Sequence, residues 1–241
     1  MLNVFLSAEW RYLAMLNYAV DPAVLQARVP VGTELDSHEG VTYVSVVGFR
    51  FCKTRVCGLP IPFHQNFEEV NLRFYVRRKE RGAWKRGVVF VKEIVPRWAI
   101  AWVARRLYGE PYQSMPMRHR IDHQPAHLAV EFAWKRKGHW EAVTAQAQGE
   151  AQEIQEGSQE EFITEHYWGY TGRPQGTTEY QVEHPRWRVW QATGSSFSAD
   201  TASLYGPEFV ECLSQRPASA FIADGSAVKV RQKSALTGTM Q

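Results

Sequence analysis

Hydrophobic and polar residues alternate with a period of two along much of the chain, as in strands whose two faces meet different surroundings. In "FEEVNLRFYV", Val70, Leu72, Phe74 and Val76 share one face, and Glu69, Asn71, Arg73 and Tyr75 share the other. "WRYLAMLNYAV" is apolar on both faces and predicts a buried strand. "VTYVSVVGFRF" is β-branched and aromatic, again a strand. "NFEEVNLRFYVRR" and "RGVVFVKEIV" predict two strands joined by the charged turn "KERGAWK", with the Pro-rich connection "GLPIPFHQ" before them. "LAVEFAWKRKGHWEAVTAQAQGEAQEI" predicts a hairpin turning at Lys137-Gly138 and running on into a long strand. "EGSQEEFITEHYWGYTG" and "TTEYQVEHPRWRVWQA" read as further strands, and "SAFIADGSAVKVRQ" as a closing hairpin with Asp224-Gly225 at its turn.

In three places the pattern turns helical. In "DPAVLQARVP", Asp21 can cap a helix that Pro22 starts and Val29-Pro30 ends. In "PRWAIAWVARRLYGEP", Ile100, Val103, Ala104 and Leu107 share a face, Gly109 suits the left-handed cap and Pro111 stops the chain, predicting a helix over 97–108. "GPEFVECLSQRP" is a short helix. About ten strands with three short helices, and no linker or repeat between them, predict one mainly β (β-rich α+β) domain over residues 1–241. Its antiparallel sheet should curve until it closes or nearly closes, which tends to enclose a cavity.

Composition narrows the functional classes. Apolar residues make up 44% of the chain, enough for a sizeable core. The net charge of +3 is spread among interleaved acids and bases rather than gathered in a basic patch, so no nucleic-acid partner is expected. No apolar run approaches the length of a membrane span, and "MLNVFLSAEWRYLAML" lacks the basic start and small-residue cleavage site of a signal peptide. The cysteines, Cys52, Cys57 and Cys212, are too few for a disulfide framework and fit a reducing, cytoplasmic setting. There is no Gly-rich phosphate loop, HExxH or GxSxG, and Cys52 and Cys57 have no second ligand pair, so neither cofactor nor metal is expected. Homo-oligomerisation is left open.

Candidate chemistry gathers where polar residues interrupt apolar strands. The Glu69, Asn71, Arg73, Tyr75 face mixes an amide, both charges and a phenol; it is either a solvated face or the polar lining of a cavity. Arg11 lies inside an apolar strand and needs a partner such as Glu69 if it is buried, unless its head reaches water. Lys92 and Glu93 are adjacent and so point to opposite faces; either one of them enters the core or a cavity, or both sit at a solvated sheet margin. His166, Trp168 and Tyr170 alternate on one strand face, and with His184, Trp187 and Trp190 they could build an aromatic wall.

Taken together, "LNYAVDPAVLQARVP", "EEVNLRFYV", "RGVVFVKEIVPRWAIAWVARRLYGEPY", "TEHYWGYT", "VEHPRWRVW", "SLYGPEFV" and "PASAFIADGSAV" resemble the uncharacterised YqjF-like family, a domain of unknown function with the acetoacetate-decarboxylase-like fold. That resemblance implies a cone-like barrel around an internal pocket. A more distant similarity is to acetoacetate decarboxylase itself, which has an Arg ten residues before an Asp-Pro pair (here Arg11 and Asp21-Pro22), an aromatic-x-Glu strand (Phe67, Glu68, Glu69) and a helix ending in Gly-x-Pro-Lys-Lys. Here that ending reads Gly109, Glu110, Pro111, Tyr112, Gln113. The resemblance therefore implies that Arg11 and Glu69 face the pocket while Tyr112 and Gln113 replace the lysine pair. Neither side chain can form the Schiff base on which that decarboxylation depends. The expectation is a protein that binds a small organic carbonyl or carboxylate through Arg11, Glu69, Asn71, Arg73, Tyr112, Gln113, His166, Trp168 and Tyr170. The alternative is an enzyme, a hydratase, isomerase or lyase, with Glu69 and Tyr112 as acid and base.

Overall fold

The structure is a computed structural model in which residues 3–97, 111–174 and 176–236 are described. In chain order it contains β1 (Val4–Ala19), a helical turn at Pro22–Gln26, β2 (Glu34–Leu35), β3 (Tyr43–Val56), β4 (Leu59–Pro60), β5 (Phe67–Glu80), β6 (Ala83–Val95), β7 (Tyr112–Ser114), β8 (Met117–Gln124), β9 (His127–Arg136), β10 (His139–Gln148) and β11 (Gln152–Glu153). A helix at Gln159–Thr164 follows, then β12 (Trp168–Arg173), β13 (Gly176–Glu183), β14 (Arg188–Ser198), helical turns at Thr201–Leu204, Pro207–Phe209 and Val210–Ser214, β15 (Ser219–Arg231) and β16 (Ser234–Leu236).

Among the described residues, β13, β12, β6, β5, β3, β1 and β15 lie side by side in that order, and β15 pairs back with β13 through Val182↔Val230. The result is a closed, mixed, seven-stranded barrel, because β12 meets β6 in parallel at Trp168↔Gly87 while the other neighbours run antiparallel. Closure satisfies the edges that an open sheet would expose. β14 leaves the barrel: it pairs with β15 at Val189↔Ala223 and then with β10, carrying β10, β9 and β8 as a second sheet.

The period-two pattern decides which side chains face which sheet. Val70, Leu72, Phe74 and Val76 are completely buried in a core shared with Phe132, Trp134 and Val143 of the second sheet. Gly48 on β3 allows that close approach, since a Cβ there would stand 2.7 Å from Val143 Cγ1 and 2.9 Å from the Phe132 ring. A separate core, with Leu13, Met15, Val47, Phe49, Phe221 and Ala223, fills part of the barrel interior.

Several local expectations hold. Asp21 caps its helical turn by accepting from Ala23 N at 2.9 Å, and Lys137-Gly138 makes the hairpin turn with both φ values positive (49° and 85°). Others are corrected. The β5–β6 turn is tighter than "KERGAWK", because Arg81-Gly82 adopts the same left-handed pair (50° and 85°). "EGSQEEFITEHYWGYTG" is not one strand. Ser158 Oγ accepts from Glu161 N at 3.2 Å and Glu161 accepts from Gly157 N at 2.6 Å, and this capping arrangement starts a helix despite the β-prone Phe-Ile-Thr that follows. "TTEYQVEHPRWRVWQA" is two strands interrupted around Pro185. "SAFIADGSAVKVRQ" is one continuous strand, not a hairpin: it pairs with β1 in unbroken register from Trp10↔Ser226 through Arg11↔Gly225 to Leu13↔Ala223. Gly225 has the positive φ of a turn residue (76°), but it serves close approach, since a Cβ would lie 2.1 Å from the Trp10 carbonyl oxygen. The helix expected over 97–108 lies, from residue 98 on, outside the described residues. Among the described residues no helix is long and apolar enough to cross a membrane.

Candidate functional site

The barrel interior holds a cavity of ≈ 240 Å³. Its polar end is built by three adjacent strands. β5 pairs with β6 at Asn71↔Glu93, and β6 pairs with β7 at Glu93↔Tyr112, so three polar residues lie in one row across the sheet. Glu69 is two residues from Asn71 along β5 and shares its face. The polar face of β5 is thus a cavity lining, with Glu69, Asn71 and Arg73 all on the wall.

Glu69 is 2% exposed. One carboxyl oxygen accepts from Asn71 Nδ2 at 3.0 Å and the other from Tyr112 Oη at 3.0 Å. Burial drives its pKa up to about 7, against the pull of those two hydrogen bonds and the Arg73 charge. Tyr112 is half-buried, and it lines the cavity. Burial, followed by the charges of Glu69 and Glu93, holds its phenol well above the ordinary range, so it remains a hydrogen-bond donor. Arg73 Nη2 donates to the Ile163 carbonyl at 3.1 Å at the end of the Gln159–Thr164 helix.

His166 follows that helix and lines the same cavity. Its Nε2 lies 3.4 Å from Asp36 Oδ2, and Asp36 is itself buried and accepts from Arg86 Nε at 2.7 Å and Ser37 N at 3.0 Å. Burial lowers the imidazole to about 4, which leaves it neutral. Burial works to raise Asp36, but the nearby His166 ring and the hydrogen bond and charge of Arg86 prevail and bring it to about 2. The rest of the wall is apolar and aromatic. Trp10 sits edge-on to Phe49, Phe51 and Trp187 at centroid distances of 5.4, 5.8 and 6.3 Å, and His184 stacks on Trp187 at 4.2 Å.

The structure thus brings Glu69, Asn71, Arg73, Tyr112, His166 and Trp168 to one cavity and leaves three expected residues outside it. Arg11 does not meet Glu69. Its side chain is 40% exposed, pairs with Glu9 at 3.0 Å and reaches the Gly225 carbonyl at 3.4 Å. The cause is local: Tyr12 has φ 57° and the β1–β3 register shifts between Arg11 and Ala14, so alternation breaks and Trp10 and Leu13 face the cavity instead. Gln113 is exposed because it neighbours Tyr112 on a strand and points to the opposite face. Tyr170 is fully buried in the outer core over Gly87, where a Cβ would lie 2.6 Å from its ring; it is two residues, roughly 7 Å, further along β12 than Trp168.

Of the adjacent pair, Glu93 faces the cavity, while Lys92 Nζ donates to the Leu204 carbonyl on the other side of the sheet. Sequence reasoning passed over Asp36, which sits in a short turn-rich stretch with no periodic signal, and Trp10, whose role depends on the kink at Tyr12. Among the described residues no group of three or more His, Cys, Asp or Glu is placed to hold a metal ion.

Comparison with solved structures places this geometry in a known fold. The acetoacetate decarboxylase of Legionella pneumophila matches with a TM-score of 0.65 at 13% identity, covering 96% of this chain and 87% of that one. The enduracididine biosynthesis enzyme MppR, complexed with the condensation product of pyruvate and imidazole 4-carboxaldehyde, matches with a TM-score of 0.67 at 12% identity, covering 99% and 92%. The fold is therefore acetoacetate-decarboxylase-like. Among curated proteins, the uncharacterized protein YqjF of Bacillus subtilis (strain 168) is 27% identical over 187 residues, 76% of this chain and 74% of that protein. The family described as an uncharacterized conserved protein, DUF2071, matches residues 7–227, which takes in the barrel and its second sheet, and the chain belongs to that family.

Proposed function

We propose that the protein binds a small organic molecule in the barrel cavity, apolar over most of its length and carrying a carbonyl or carboxyl group at one end. The observation that carries this reading is the Glu69 carboxyl, buried at the polar end of an otherwise aromatic cavity and bonded to Tyr112 and Asn71. Polar groups converging in an apolar concavity fix a ligand's orientation, while the apolar wall supplies affinity. Arg73 and the Tyr112 hydroxyl would meet the oxygenated end; Trp10, Phe49, Phe51 and Trp187 would hold the remainder. MppR, a protein of the same fold, is seen with pyruvate bound, which fits a small carbonyl ligand by analogy of fold alone.

Every lysine in the sequence falls within the described residues, and none lines the cavity. That supports a site without imine chemistry. Unpaired cysteines fit the expected cytoplasmic setting. A second reading, an enzyme acting on a small carbonyl compound with Glu69 and Tyr112 as acid and base, is favoured by one observation: Glu69 is drawn to about 7, where a carboxyl can both give and take a proton.

The test is denaturing extraction of the purified protein followed by mass spectrometry, with tryptophan fluorescence titrations of ketones and carboxylic acids reporting through Trp10, Trp168 and Trp187. A co-purifying or saturating small molecule, displaced in Tyr112→Phe or Arg73→Met, is the expected result. Fluorescence that ignores every ligand in the panel, with nothing extracted, would remove the binding reading.

A further inference from the structure

We propose that the barrel end carrying the β3–β4 hairpin seats the protein on an anionic phospholipid surface, with Leu59, Ile61 and Phe63 entering the lipid and Arg55 and Lys229 meeting its phosphates. This docking lies outside the cavity and stands whatever the cavity holds.

Two adjacent rows of the strand register build this end. Pro60↔Arg55, Arg55↔Ser7, Ser7↔Lys229 and Lys229↔Glu183 form one row across β4, β3, β1, β15 and β13. Leu59↔Val56, Val56↔Leu6, Leu6↔Val230 and Val230↔Val182 form the next. Neighbours along a strand point to opposite faces. Val56, Leu6, Val230 and Val182 accordingly line the cavity, whereas Arg55, Ser7, Lys229 and Glu183 line a groove on the outer face of the barrel.

The carboxylates of that groove are already paired, Glu9 with Lys53 at 2.7 Å and with Arg11 at 3.0 Å, and Glu183 with Arg231 at 2.6 Å. Arg55 and Lys229 are exposed, and among the described residues neither has a carboxylate partner. Arg55 keeps one Nη on the Gly58 carbonyl at 3.4 Å, which holds its guanidinium beside the hairpin turn. One strand separates the two cations, so their Cα atoms stand about 10 Å apart with Ser7 between them.

The hairpin supplies the apolar half of the contact. Leu59, Pro60, Ile61, Pro62 and Phe63 are consecutive, apolar and all exposed, with Leu59 67% and Phe63 86% open to solvent. Single exposed apolar residues are ordinary on a protein surface, but a contiguous run marks a contact site. The run is held outward. Phe63 has φ 62°, uncommon for a bulky residue, within a turn closed by His64 N on the Ile61 carbonyl at 3.1 Å. Thr54 N on the Gln65 carbonyl and Lys53 N on Asn66 Oδ1, both at 3.0 Å, tie the far end of the loop back to β3. Pro60 and Pro62 carry no N–H, so this edge offers little to a strand of a partner protein, and a lipid surface asks for no such pairing. Exposed apolar side chains beside unpaired cations combine the two forces that hold proteins at anionic lipid interfaces, and such contact needs no membrane span.

The experiment is co-sedimentation of the full chain with vesicles of phosphatidylcholine alone and of phosphatidylcholine and phosphatidylglycerol in equal parts. Binding to the mixed vesicles only, weakening as salt rises, is the expected result. Arg55→Gln with Lys229→Gln should weaken it roughly thirtyfold. Leu59→Ser with Phe63→Asn, the latter suited to the left-handed backbone, should weaken it as well, while thermal unfolding of both variants stays close to wild type because all four side chains are exposed. Absence of binding to either vesicle overturns the proposal. Equal binding to neutral vesicles removes the cations from it, and binding retained in full by the Leu59→Ser, Phe63→Asn variant removes the hairpin. A wild-type oligomer in sedimentation velocity that this variant breaks, with vesicles left unbound, would make the hairpin a contact between copies of the chain and overturn the lipid assignment.

Discussion

The Glu69 carboxyl offers a prediction that needs no ligand. Its pKa is raised from 4.5 to about 7, chiefly because burial penalises the charged form. In the unfolded chain the same group titrates near its ordinary value. Between pH 4.5 and 7 the folded protein therefore holds a proton that the unfolded protein has released. Where the folded state binds more protons, stability falls as pH rises. Below pH 4.5 both states are protonated and the group contributes no slope; above 7 both are ionised and the loss is complete. A shift of two to three units corresponds to about 3 kcal/mol at about 1.4 kcal/mol per unit. Glu69→Gln keeps the shape and removes the titration, at the cost of reorganising one of the two hydrogen bonds from Asn71 and Tyr112, a constant offset in pH. Asp36 and His166 titrate in both proteins and cancel in the difference. Urea unfolding of wild type and variant from pH 4.5 to 8.5 should show the variant gaining about 3 kcal/mol relative to wild type across that window. A flat difference would mean that Glu69 is ionised in the folded state throughout, held down by Arg73. A difference of opposite slope would mean that its hydrogen bonds outweigh its burial. Either result would refute the reasoning.

Three further outcomes follow from other parts of the structure. Asp36→Asn strips a buried carboxylate from Arg86 and His166 and should cost about 3–5 kcal/mol in urea unfolding at pH 7; because the Asp36 pKa is depressed, that difference should shrink only as pH falls below 4 toward 2. Gly225→Ala should lose at least about 2 kcal/mol because the residue is left-handed and its new Cβ would meet the Trp10 carbonyl, whereas Gly172→Ala, with open space around it, should stay within about 1 kcal/mol; equal thermal shifts would contradict this. Borohydride reduction in the presence of acetoacetate or pyruvate should leave every peptide unmodified by mass spectrometry, since Lys92 is tied to the Leu204 carbonyl away from the cavity, and a stoichiometric adduct lost in Lys92→Met would restore an imine mechanism.

What could be read from the sequence was what strands encode in alternation. The two faces of β5 separate as the period-two pattern requires, one into the core between sheets and the other onto the cavity. The missed elements are those where a short-range signal has two readings. Asp-Gly in "FIADGSAV" demands a left-handed glycine, and hairpin turns demand the same; only the pairing of Gly225 with Arg11 on the neighbouring strand β1 shows which need it serves. "SQEEFIT" carries both a capping pattern and β-prone residues, and the cap prevails because Ser158 and Glu161 satisfy backbone donors that a strand would have to pair elsewhere.

The site was half legible for a related reason. Residues on β5 kept their predicted direction, and Glu69, Asn71 and Arg73 follow from that strand alone; Gln113, expected at the cavity beside Tyr112, fails because neighbours on a strand point to opposite faces. Arg11 failed because the inference carried it across Tyr12, where a positive φ resets which residues face inward. That kink turns Trp10 to the cavity and lets Arg11 pair with Glu9 outside it, so the barrel exchanges a cation for an indole at one wall. The consequence reaches the chemistry. With Arg11 inside, Glu69 would gain a buried counter-ion that favours its charged form; with Trp10 in its place, Arg73 is the cation that acts on it among the described residues, and burial is the larger influence. The Tyr12 dihedral thus decides which β1 side chains reach the cavity that Glu69 lines, and no pattern of residue types within β1 encodes that choice.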